Sequence, residues 1–129
     1  MIINVNSIEI VLDLEPSQAY VLSSKAGIGK TYLYDMLKAY ENFGNQVVAV
    51  TYDRQRTVEE LRERMDRFSG SIVLFDRFDR YFDKEVVSQC TNKGCSVLVD
   101  LKSNQLINQL KVQSVYFNRS ADKIEVLKW

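Results

Sequence analysis

Apolar residues in this chain gather into runs of two kinds, and the alternation between them predicts its elements. Four runs are nearly continuous: Ala19 to Leu22, Gln46 to Tyr52 around Val-Val-Ala-Val, Ser71 to Asp76 around Ile-Val-Leu-Phe, and Cys95 to Leu101. Their shortness and apolar continuity predict strands buried on both faces. Between them apolar positions return every three or four residues. Leu33, Met36, Leu37 and Tyr40 predict a helix over Lys30 to Phe43 that Gly44-Asn45 stops. Val58, Leu61, Met65 and Phe68 predict another, opened by a Thr57/Glu60 capping box and ending near Ser69-Gly70. Further helices are expected from about Asp83 to Thr91, closed by Asn92-Lys93-Gly94, and after Ser103 through Leu106, Ile107 and Leu110.

The two ends of the chain read differently. Ile2 to Asn6 and Ile8 to Leu14 predict a short hairpin, followed by a turn at Glu15-Pro16-Ser17. Val112 to Phe117 and Lys123 to Lys128 predict a second strand pair. Strands alternating with helices in the middle, and strand pairs at the ends, predict an α/β fold. Its central sheet should be mostly parallel, covered by helices on both faces and edged by antiparallel strands.

Composition narrows the class. A chain of 129 residues is long enough for one core, so residues 1–129 are expected to form a single domain. With 17 basic and 17 acidic residues the net charge is zero, which supplies no long-range field for nucleic acid or an anionic membrane. Arg54, Arg56, Arg62, Arg64 and Arg67 interleave with Glu59, Glu60, Glu63 and Asp66, the pattern of a solvated, salt-bridged face. No apolar run approaches twenty residues and no signal-peptide pattern opens the chain, so a cytoplasmic location is the expectation. Cys90 and Cys95 have no histidine to join them as zinc ligands, and read as reduced, small core residues. The lack of histidine also removes the commonest general base.

The chemistry concentrates after the first apolar run. Ser24-Lys25-Ala26-Gly27-Ile28-Gly29-Lys30-Thr31 follows a predicted strand and opens a predicted helix. Glycines allow successive backbone N–H groups to approach phosphate oxygens, and the following helix directs its positive end at the same point. Lys30 would reach the β- and γ-phosphates and Thr31 would place its hydroxyl on Mg2+. The stretch resembles the Walker A motif G-x-x-x-x-G-K-[ST] of P-loop nucleotide-binding proteins, with Ser24 where the first glycine belongs. Asp76, after four apolar residues, resembles the Walker B aspartate that holds Mg2+ beside the threonine.

The run Asp76-Arg-Phe-Asp-Arg-Tyr-Phe-Asp83 has the spacing of the D-E-P-x-x-x-L-D stretch of ABC-type ATPases, with Asp83 on the D-loop aspartate. The chain thereby resembles a minimal ABC-type, RecA-like ATPase core, which implies a three-layer P-loop NTPase fold. Arg77 stands where that family has its catalytic glutamate and Lys102 where it has its switch histidine, and the L-S-G-G-Q helical insert is missing. The resemblance therefore implies binding of ATP or another nucleoside triphosphate with Mg2+, and hydrolysis that is weak or completed by a protein partner or a second copy. Asp79 and Asp83 are the nearby carboxylates that could replace the glutamate, and Arg77 and Lys102 could contact phosphate directly.

Two alternatives stay open. Asp76-Arg77-Phe78 also resembles the Asp-Arg-aromatic motif of nucleoside and nucleotide kinases, although the chain has no room for their lid after Leu101. The third reading is an interaction module with a degenerate P-loop and no catalysis.

Overall fold

The computed structural model of the chain describes residues 1–22, 33–37, 47–50 and 70–128. Eight strands form one sheet. They are β1 (Ile2–Val5), β2 (Ile8–Asp13), β3 (Ala19–Leu22), β4 (Val47–Val50), β5 (Ile72–Phe75), β6 (Ser96–Asp100), β7 (Gln113–Arg119) and β8 (Lys123–Lys128). Their order across the sheet is β1-β2-β8-β7-β3-β6-β5-β4. Residues 33–37 are helical (α1), a 3-10 turn spans Phe78–Arg80, and two helices follow: α2 (Lys84–Asn92) and α3 (Asn104–Ile107).

Strands β7, β3, β6, β5 and β4 run parallel. Every residue of β3, β4, β5 and β6 is buried, because both faces of these strands are covered. Side chains alternate across a strand with period two. Val21, Val50, Phe75 and Val99 therefore face α2, whose Val86, Val87 and Cys90 pack on them, while Leu22, Leu74 and Leu98 face Leu33, Met36 and Leu37 of α1. Asp83 caps α2 by accepting from the Glu85 amide at 3.0 Å, and Ser103 caps α3 by accepting from the Leu106 amide at 3.3 Å. Gly94, at a φ of 82°, turns the chain from α2 into β6.

The terminal strands build the other half of the sheet. β1 and β2 are joined by Asn6-Ser7, both at positive φ, as a tight two-residue hairpin turn requires. β2 then lies parallel to β8 from Glu9↔Lys123 to Asp13↔Leu127, and β8 is antiparallel to β7 from Val115↔Lys128 to Arg119↔Ile124. Strand β7 divides its length between two neighbours. Gln113 and Ser114 pair with Tyr20 and Val21 of β3, and the remainder pairs with β8.

This architecture corrects the three-layer P-loop NTPase fold expected from the sequence. About 23% of the described residues are helical, and the molecule is a mostly-strand, curled half-barrel sheet. The end strands are not trimmings on a parallel core. β7 and β8 sit inside the order, and the outer edges are β1 and β4. Periodicity identified each of these strands; partner choice and curl depend on side-chain packing between distant segments, which periodicity does not carry. Of the predicted helix over Lys30 to Phe43, residues 33–37 are described, and the helix predicted from Thr57 to Ser69 lies outside the described residues. Among the described residues no helix is long and apolar enough to cross a membrane.

Candidate functional site

Three parallel strands end at one level and bring the candidate residues together. Leu22, the last residue of β3, is in register with Asp100, the last of β6. Phe75 of β5 is in register with Val99, so Asp76, the next residue, stands beside Asp100. The chain leaves β3 at this level and continues into Ser24, Lys25, Ala26, Gly27, Ile28, Gly29, Lys30 and Thr31, all of which lie outside the described residues.

Asp76 and Asp100 form a carboxyl pair. Asp100 is buried, with 6% of its surface exposed, and Asp76 is half-buried. Burial holds the Asp76 carboxyl above the ordinary carboxylate range. The charge of Asp100 raises it further, as do a hydrogen bond between the two side chains and the charge of Asp35, while Arg77 acts in the opposite sense. The pair is thus a place where negative charge is crowded and partly desolvated, the condition that a cation relieves.

Two tyrosines fix the end of β5 from opposite sides. The Tyr34 hydroxyl, from α1, donates to the Phe75 carbonyl at 3.1 Å. The Tyr81 hydroxyl lies 2.7 Å from the Asp76 carbonyl and 3.2 Å from that of Val50, on the neighbouring strand β4. Burial raises both phenols, which keeps each hydroxyl protonated as a donor. Phe78 packs beneath the turn, its ring 5.0 Å from Phe75 and 5.2 Å from Tyr81.

Between these anchors Arg77 adopts φ 51° and ψ 45°, the left-handed region that a side chain with a Cβ enters at a cost. Its amide donates to Asp100 Oδ2 at 3.4 Å, and its side chain is exposed. The guanidinium makes no ion pair among the described residues, even though its charge is felt at Asp76.

The two acids that could have replaced the glutamate have other work. Asp79 accepts from the Lys102 amide at 2.9 Å and from the Ser103 amide at 3.0 Å, tying the loop after β5 to the loop after β6. Asp83 is the cap of α2. The Lys102 side chain is exposed at the same edge. Cys90 and Cys95 are buried and form no disulfide; burial pushes the Cys90 thiol up to about 12, which makes it a packing group and not a nucleophile.

The structure places the sequence candidates Asp76 and Arg77 beside Asp100, Tyr34 and Tyr81, three residues that the sequence pattern had not singled out. Asp100 carried a readable signal, since it closes a four-residue strand run just as Asp76 does. The tyrosines carried none, because an aromatic at helical spacing is indistinguishable from core. Among the described residues no three Cys, Asp or Glu side chains gather as a metal-binding group. Two carboxylates nonetheless suit Mg2+, which takes one or two from a protein and completes its shell with phosphate and water. A separate open groove of about 640 Å³ lies at the other end of β3, lined by Gln18, Lys84, Gln89, Gln109 and Lys111 among others.

No family model matches the chain, and neither does any curated protein or solved structure.

Proposed function

We propose that the chain binds a nucleoside triphosphate, ATP in the first instance, together with Mg2+, at the carboxyl ends of β3, β6 and β5. The observation that carries this reading is the Asp76–Asp100 pair, standing at the level where β3 hands the chain to the Ser24–Thr31 loop sequence. Ligands of parallel sheets gather at the carboxyl ends of the strands. A glycine-bearing loop and a lysine there would supply backbone N–H groups and positive charge to phosphates, and the acid pair would supply oxygen ligands to the metal.

Under this reading Gly27 to Gly29 and Lys30 would hold the phosphates, and Thr31 with the Asp76–Asp100 pair would hold the Mg2+. Bound Mg2+ would neutralise phosphate charge and polarise the terminal phosphoryl group. Turnover by the isolated chain is weak, because Arg77 cannot accept a proton from water and Asp79 and Asp83 are committed to backbone amides. Efficient hydrolysis then requires a protein partner or a second copy to supply the missing base.

Calorimetric titration with Mg-ATP and Mg-GTP tests the proposal, with the Lys30→Ala variant alongside. Saturable binding that Lys30→Ala abolishes is the expected result. No binding to either nucleotide, or equal binding by the variant, overturns it.

A further inference from the structure

We infer that β1 is a pairing edge, at which two copies of the chain join their sheets around a twofold axis. The inference does not rest on the nucleotide-binding reading. β1 and β4 close the order of strands, and they differ: β4 is buried along its length, whereas Ile2 and Asn4 of β1 are exposed. An open edge offers its N–H and C=O groups to any strand that matches them, and proteins guard such edges with charges, proline or a bulge. β1 has none of these. Ile2-Ile3-Asn4-Val5 contains no charged residue and no proline, and its register with β2 is unbroken from Ile2↔Val11 to Val5↔Ile8. Three large apolar side chains stay exposed among the described residues, and two of them, Met1 at 41% and Ile2 at 64%, lie at this edge.

The hairpin fixes which groups face outward. The Leu12 amide donates to the Met1 carbonyl at 2.8 Å, and the Met1 ammonium donates to the Leu12 carbonyl at 2.9 Å. Bonded and non-bonded pairs alternate along an antiparallel ladder, so Ile3↔Ile10 and Val5↔Ile8 are bonded pairs while Ile2 and Asn4 turn their amides and carbonyls away from β2. Glu9, opposite Asn4, has the same phase: its amide donates to the Asp122 carbonyl at 2.9 Å, on the β8 side. A second copy of β1, antiparallel to the first, satisfies all these open groups in one register. With Ile3 opposite Ile3 of the second copy, Ile2 meets Asn4 and Asn4 meets Ile2, each pair exchanging two hydrogen bonds. Centring on Asn4 would instead set Ile2 against Asn6, which leaves the strand at a φ of 50°. The Ile3 centre also places the buried row Ile3, Ile10 and Ile124 end to end with its copy. A net charge of zero sets no repulsion between the copies, and a twofold contact covers the same patch on both and closes at two.

A seam this short makes a weak dimer. Sedimentation equilibrium of the full chain is expected to show one chain at about 1 μM and two at about 1 mM, the span of weak association. Over the same range, amide hydrogen exchange followed by NMR should slow at Ile2 and Asn4 and stay constant at Ile3 and Val5, which are already bonded within the hairpin. Asn4→Pro removes an amide that β2 does not use, so the variant should fold as the parent does and remain monomeric. Ile2→Lys, which charges the edge without touching the backbone, should weaken the dimer about tenfold or more and carries the test if the proline variant does not fold. A parent that stays monomeric at about 1 mM overturns the inference. So does a dimer that leaves the Ile2 and Asn4 amides unprotected, or one that both folded variants form as well as the parent does, because the contact then lies elsewhere.

Discussion

At the scale of single residues the site is defined by a carboxyl that the fold discourages from ionising. Asp76 is held above the ordinary carboxylate range by burial and by its neighbour Asp100. The folded protein therefore keeps a proton there over a pH interval in which the unfolded chain has released it. Stability falls as pH rises from the ordinary carboxylate value through the raised one, and levels off above it. Asp76→Asn removes the ionisable group while keeping its shape. The variant is expected to exceed the parent in melting temperature at neutral pH and to lose that advantage in acid. Thermal melts across pH 3 to 8 check this, and a variant less stable than the parent at pH 7 would show that the carboxylate makes a favourable contact outweighing the crowding. Asp76 was legible in the sequence because four apolar residues lead to it. The conformation of Arg77 was not, since nothing in a residue's identity records a positive φ imposed by tertiary contacts.

At the scale of elements, the loops after β5 and β6 behave as one unit because a single carboxylate serves both. Asp79 leaves the 3-10 turn and accepts from the amides of Lys102 and Ser103, the latter being the residue that caps α3. Asp79→Ala removes that tie and leaves two amides to water. A cost of about 1–2 kcal/mol is expected, the lower part of the range for bonds to a charged group because the site is partly exposed. Denaturant unfolding measures it. Hydrogen exchange at Lys102 and Ser103 should quicken together; unchanged exchange there would show that the tie is not maintained in solution. The start of the helix near Asp83 was legible in the sequence, whereas the capping role of Asp83 emerges from the structure. The role of Asp79 was not legible, because its partners lie 23 and 24 residues away and no local pattern links them.

For the whole molecule, one sheet separates two cores. Phe75 belongs to the core under α2 and Leu98 to the core under α1, and both are fully buried. They reside on adjoining strands β5 and β6, so neither core can lose its wall without exposing the other. Leu98→Ala is expected to cost about 2–5 kcal/mol and Phe75→Ala about 3–5 kcal/mol, each in a single transition seen alike by far- and near-ultraviolet circular dichroism. Separate transitions would mean that the cores fold independently. The buried strands were legible as apolar runs, since covering both faces leaves no polar alternation to confuse them. The sheet order was not, because the placement of β7 and β8 between β2 and β3 follows from packing between segments that are far apart in the chain.

The divided strand β7 has a mechanical consequence. It grips β3 along Tyr20↔Gln113 and Val21↔Ser114 alone, whereas every other neighbouring pair is joined along at least four positions. Tension applied across the sheet would open that short seam first, splitting the eight strands into four and four. Leu22, Asp76 and Asp100 would travel together on the same fragment, so the shortest strand pairing among the described residues runs beside the candidate site without crossing it.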